Sequence, residues 1–183
     1  MSDLVEARTI ASDFLRLEWP RRWKHVVGVS RRGREVFGPV LDDSTTSLLE
    51  VAGLLHDIGY SSRLQDTGFH PIDGARYLRS IGYDRRVVNL VAHHSFAYHK
   101  AQFRGLGPVL VDEFPKDPDV PHDELCFLDL TTSPSGGFVT VEDRLVDIQS
   151  RYGHGSAMYD FVEVFGDELR SVVRRMEVFV GLG

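Results

Sequence analysis

The stretch LLEVAGLLHDIGY, residues 48–60, reads as an apolar helix that ends on His56 and Asp57. Two such groups side by side are costly to bury without a partner. Other residues of the same kinds lie before and after them. His25 follows Trp23 and Lys24, His70 precedes Pro71, His93 and His94 are adjacent, and Asp129 sits in LCFLDLTTSPSG among apolar neighbours. Each has an ordinary reading alone. A lone histidine on an apolar face is usually a hydrogen-bonded core residue, His70 could be a plain loop residue, and His93 and His94 could be helix C-terminal residues held by the macrodipole. Asp129 could cap the turn that follows it. The set reads differently. His56 falls in step with Ala52 and Leu49 on the apolar face of its helix, with Asp57 about 100° round the axis. A cation or a dense hydrogen-bond network must offset their desolvation. Imidazole and carboxylate together suit iron, manganese, cobalt, nickel or zinc better than a pure magnesium site, with magnesium still open.

Helices must carry these residues. Apolar residues recur with helical spacing over residues 3–18 and about 21–37, the second stretch holding His25. The clearest helix spans 43–58, with Asp43 or Ser44 as cap and Gly59 where a left-handed residue would end it. Pro71 opens a helix through Leu78, and Asp84 caps one that ends at His93 and His94. Residues 104–119 read as a long irregular loop, a flap or partner surface. Pro121 opens a helix through Leu130, TTSPSGG is a turn, and Thr140 caps VEDRLVDIQSRYG. A long final helix covers 156–181. No strand run and no internal repeat stands out. The expectation is an all-α fold, one domain over residues 1–183 with its core at about 20–150.

The order His25, His56-Asp57, Asp129 resembles the signature of the HD-domain superfamily of metal-dependent phosphohydrolases, and HDIG at 56–59 is a form common there. The resemblance covers about residues 20–150. HPIDGARYL at 70–78 and VAHHSF at 91–96 resemble the HPxxG and paired-histidine segments of HD-GYP-type members, in which extra histidines hold a second metal. The resemblance therefore implies two divalent metal ions. His25, His56, Asp57 and Asp129 would hold one, and His70, His93 and His94 the other, with Asp57 bridging. It also implies catalytic roles for His56, Asp57 and Asp129. Tyr60 stands where those proteins usually have lysine, Ser95 where they have glutamate, and SFAYHKAQF where they have the glycine-tyrosine-proline motif. Hydrolysis of a cyclic dinucleotide is thus not expected. The chain is more similar to small stand-alone bacterial HD-domain proteins.

The activity so implied is hydrolysis of a small phosphoester, of a nucleotide or another phosphorylated metabolite, by metal-activated hydroxide. Arg63, Lys100 and Arg144 are candidate phosphate partners, while Tyr60 and Ser95 are candidates to line the pocket. Each of these three cations could instead be a solvated surface residue or a structural salt bridge; the two readings balance for Arg144, the loop placement of Arg63 favours the pocket, and Arg151 is read as a surface or salt-bridge arginine. His99 could reach the pocket rim, His122 is expected to be exposed, and His154 to lie in a turn. Two alternatives accompany this reading. Some superfamily members with a similar histidine set use a di-iron centre as an oxygenase, and a non-catalytic metal-binding module is the third option.

A net charge of −6 does not favour a nucleic-acid partner. Cys126 is the only cysteine, which excludes a disulfide within the chain and a cysteine-based zinc site. There is no apolar run long enough for a membrane span. The segment MSDLVEARTIASDFL lacks the basic start and apolar run of a signal peptide, so a cytoplasmic location is expected. The last helix and the apolar residues of 104–119 could support a homodimer.

Overall fold

Capping residues start the helices close to where the spacing predicts them. The computed structural model describes residues 3–182. Among the described residues ten α-helices run in order: α1 (Asp3–Leu15), α2 (Pro20–Arg32), α3 (Asp43–Leu55), α4 (His70–Ser80), α5 (Arg85–His93), α6 (Ala97–Gln102), α7 (Gly107–Glu113), α8 (His122–Leu130), α9 (Val141–Tyr152) and α10 (Ala157–Phe179). Among the described residues there is no β-sheet, only an isolated bridge between Thr132 and Phe138. No described helix is long and apolar enough to cross a membrane.

Asp84 and Thr140 cap α5 and α9 as expected, each accepting a backbone N–H of the first turn. The cap of α3 is Asp42, one residue before the expected pair. Asp42 is the residue with extended backbone, and its carboxylate accepts the Thr45 N–H at 2.9 Å and the Thr45 hydroxyl. The second helix ends at Arg32 and passes into a π-helical turn, Gly33–Phe37, with Phe37 fully buried against Phe127. The stretch 104–119 is not wholly irregular, since it contains α7. Pro108 lies in that helix's first turn, where its missing N–H costs nothing, and Leu110 is fully buried.

Helix α3 is the central element. Leu48, Leu49, Val51, Ala52, Leu54 and Leu55 are all buried, with α1, α2 and α5 packed around them. A helix buried on most sides delivers its last residues, His56 and Asp57, into the interior rather than to solvent. The long α10 lies along α8 and α9.

Two glycines set how closely the site's elements meet. Gly59 is not left-handed, contrary to the expectation; it sits in a 3-10 turn, Ile58–Tyr60. Its role is contact, because a Cβ there would fall 2.1 Å from the His70 carbonyl oxygen and 2.7 Å from the Gly74 nitrogen. A Cβ on Gly28 would fall 2.5 Å from the Gly136 oxygen, so glycine lets the 133–136 turn lie on α2 beside His25. Gly59→Ala must push the start of α4 outward. The expected result is a loss of about 1–3 kcal/mol of stability, read as a lower urea midpoint at unchanged m value.

Candidate metal centre

His56 caps the end of α3 and is fully buried. Its Nδ1 lies 2.9 Å from the Gly53 carbonyl oxygen. A carbonyl only accepts, so Nδ1 carries the proton and Nε2 presents a lone pair. That Nε2 is buried with no hydrogen-bond partner and faces Asp57 Oδ2 at 3.6 Å. His94 repeats the device. Its Nδ1 donates to the Val91 carbonyl at 2.7 Å, which turns Nε2 toward His70 Nε2 at 3.1 Å and Asp57 Oδ1 at 3.9 Å. His25 does so a third time. Its Nδ1 donates to the Ser133 carbonyl at 3.1 Å and its Nε2 faces Asp129 Oδ1 at 2.9 Å. Either a second proton or a cation must lie between those last two atoms.

Three imidazoles are thus fixed by backbone carbonyls with their Nε2 atoms directed at carboxylates. Fixing the far nitrogen in this way is how proteins orient histidine ligands. The donor atoms of His25, His56 and Asp57 all lie within 4.8 Å of one another, and so do those of Asp57, His70 and His94. Asp57 belongs to both groups: Oδ2 faces His56, while Oδ1 faces His70 at 3.4 Å and His94. The electron-rich, partnerless Nε2 of His56 is the observation that tests the fit, and it fits a cation.

Charge states agree. Burial pushes the His56 and His70 imidazoles down, and it pushes His94 down to about 3, with His56 and Lys100 adding to the effect. These rings are therefore neutral, the form that ligates metal. Burial alone would raise the Asp57 carboxyl, but Arg22 and then His56 and His70 outweigh it and hold the group well below the usual carboxylate range. Asp129 is likewise held low against burial, chiefly by its hydrogen bond with His25.

Asp129 comes from α8 and lies outside both triads. It faces His25, accepts the Ser95 hydroxyl, and receives Arg144 Nη2 at 3.4 Å. Ser95 pays for its place with backbone strain. It and Phe96 have φ of 47° and 61°, two consecutive left-handed residues without a glycine. The kink breaks the helical path after His93 and swings the Ser95 hydroxyl onto Asp129. Ser95→Ala is expected to lower the activity of the metal-loaded chain about 10-fold, the low end for removal of a group that orients a residue beside a metal centre, with steady-state kinetics as the measurement.

The other expected site residues divide. Tyr60, Lys100 and Arg144 line, with Ser95, a cavity of about 440 Å³ over the centre, and Arg151 reaches it too while remaining exposed and paired with Asp147, as a surface or salt-bridge arginine would be. His93 does not join the centre. Its Nε2 donates to the Phe114 carbonyl at 2.6 Å and its ring meets His122. Neighbours on a helix point about 100° apart, so adjacent histidines do not share a target. Arg63 is also elsewhere: it pairs with Asp13 on α1 at 3.0 Å, lies over the Phe14 ring and is 58% exposed. His99 packs on Phe165. His122 is half-buried and bonded to the Asp117 carbonyl, rather than exposed. His154 lies in the expected turn, 3.0 Å from the Tyr159 hydroxyl.

Sequence reasoning missed Arg22. Its guanidinium donates to Asp57 Oδ2 and covers the Tyr60 ring at 3.4 Å, whose other side stacks on His70 at 3.9 Å. The signal was available, because Arg22 lies three residues before His25 and so on the same helix face.

Among known families, residues 22–131 match the model described as HD domain. No curated protein and no solved structure matches the chain.

Proposed function

Since the chain belongs to the HD-domain family, we propose that it is a metal-dependent phosphohydrolase acting on a small phosphoester. The single observation that carries the reading is the convergence of carbonyl-fixed histidine Nε2 atoms on Asp57 and Asp129. His25, His56 and Asp57 would hold one divalent ion, and Asp57, His70 and His94 a second. When bound, such ions supply hydroxide near neutral pH and positive charge for the phosphoryl oxygens.

The chain's own residues do the rest. Asp57 orients both triads through its two oxygens. Asp129 Oδ1, held by Arg144 and the His25 edge, takes the proton that the attacking water gives up. Lys100 meets charge on the phosphoryl group, while Arg144 keeps Asp129 in place. Arg22 and Tyr60 hold the His70 ring in place. The new bond joins water oxygen to phosphorus. The bond from phosphorus to the ester oxygen breaks, and the departing alkoxide takes up a proton to leave as an alcohol.

The test is a phosphoester panel assayed with the metal-reconstituted protein. Release of phosphate that chelation abolishes is expected. Oxygen consumption without phosphate release would overturn the hydrolytic reading in favour of oxidative chemistry at the same centre.

A further inference from the structure

The cavity over the centre has two dissimilar walls. One is charged, and most of that charge is already neutralised. Arg22 is paired with Asp57, Arg144 with Asp129 and Asp147, and Arg151 with Asp147 at 2.7 Å. Lys100 lines the cavity half-buried with no carboxylate within 4.0 Å among the described residues, and its ammonium lies 5.8 Å from the centre of the Phe161 ring. Arg21 also lines it but is exposed. One interior cation, added to ions at the triads, suits one phosphate rather than a polyphosphate chain.

The other wall is apolar. Leu130 of α8, Ile148 of α9 and Met158, Phe161 and Leu169 of α10 line it. Ile148 and Met158 are only half-buried, so they retain apolar surface that the protein's own packing does not cover. Groups that read hydroxyls or base edges are scarce. Among the described residues, no asparagine, glutamine or threonine lines the cavity. The Ser95 hydroxyl is used by Asp129, and the Glu18 carboxylate by Ser61 and Ser62. Tyr60, the buried aromatic beside the centre, offers no free face for stacking, since Arg22 covers one side and His70 the other, while Trp19 and Tyr152 line the cavity where it is exposed. A sugar or a nucleobase bound against the apolar wall would leave most of its polar groups unpaired, which is costly.

We propose that the substrate is a phosphate monoester of an apolar alcohol, its phosphate at the triads and Lys100 and its hydrocarbon part against Ile148, Met158 and Phe161. The inference rests on the phosphohydrolase reading for its chemistry, which is unchanged: water adds to phosphorus, the ester bond breaks, and the alcohol leaves protonated. The walls argue separately for what binds.

The experiment uses the full metal-loaded chain. kcat/KM is measured for ethyl, butyl, hexyl and octyl phosphate beside glucose 6-phosphate, AMP and ATP. Calorimetry follows the binding of ethylphosphonate and octylphosphonate, which cannot be hydrolysed at the P–C bond. The expected result is a rise in kcat/KM of roughly threefold to fourfold per methylene until the wall is filled, with the polar esters poorer, and a flatter dependence on chain length in Met158→Gln. A flat series, or preference for glucose 6-phosphate, AMP or ATP, would overturn the apolar class and leave the hydrolase standing. If no ester turns over while octylphosphonate binds more tightly than ethylphosphonate, the pocket assignment stands and the hydrolase reading falls. Equal or absent binding of both phosphonates would overturn the pocket assignment.

Discussion

An Asp57→Asn chain should lose activity by about 10³-fold in kcat/KM or more, since several kcal/mol of transition-state charge stabilisation depends on the ions it would hold. The reason is the geometry of one carboxylate. Oδ2 faces His56 and Arg22, and Oδ1 faces His70 and His94. An amide keeps the shape but removes the charge, and it puts an NH2 where one triad needs an acceptor. No other described side chain serves both triads. The Arg22 guanidinium would also lose its acid partner beside the site. Steady-state kinetics on the reconstituted variant checks this, with circular dichroism to show that the helices remain. Retention of wild-type turnover would remove Asp57 from the mechanism.

The second large effect concerns stability. A metal that binds the folded chain and not the unfolded one stabilises it by mass action. At a free concentration 100 times Kd that amounts to about 2.7 kcal/mol, a Tm shift of roughly 5–10 °C for a chain of this size. Chelation should therefore lower the Tm of the wild-type chain by about that amount. The metal-free centre keeps the neutral imidazoles of His56 and His94 beside Asp57, with the His56 Nε2 buried and unpaired. The Asp57→Asn chain should show little further loss on chelation, because the ions are no longer held. Equal Tm with and without chelator in the wild-type chain would mean that the centre is satisfied by hydrogen bonds alone. Differential scanning calorimetry distinguishes the two.

The helices were legible in the sequence where periodicity and caps agree, as in α3, α5, α9 and α10. Residues 104–119 were harder, because their prolines and glycines resemble loop punctuation, and only tertiary packing shows that Pro108 begins a turn that buries Leu110. Gly59 was expected to end a helix by its own conformation. Its reason is a neighbour eleven residues away, the His70 carbonyl, which no local pattern reveals. Five residues of the two triads, His25, His56, Asp57, His70 and His94, stood out in the sequence by type and order. Which member of the His93–His94 pair faces inward depends on where α5 stops and on the left-handed kink at Ser95, and neither is written in the residue types. Arg63 illustrates the opposite error. Its place between two motifs suggested the pocket, but the loop folds back and Asp13 holds it on α1. Arg22 does not stand out by type, because arginine is common in this chain and only its spacing from His25 marks it.

The measurement that bears most directly on the centre is elemental analysis of metal per chain, on protein purified without chelators and again after reconstitution with iron, manganese, cobalt, nickel or zinc. Two ions per chain are expected, falling to about one in a His70→Ala variant that keeps the His25, His56 and Asp57 group. No bound metal, and none taken up on addition, would contradict the account at its root.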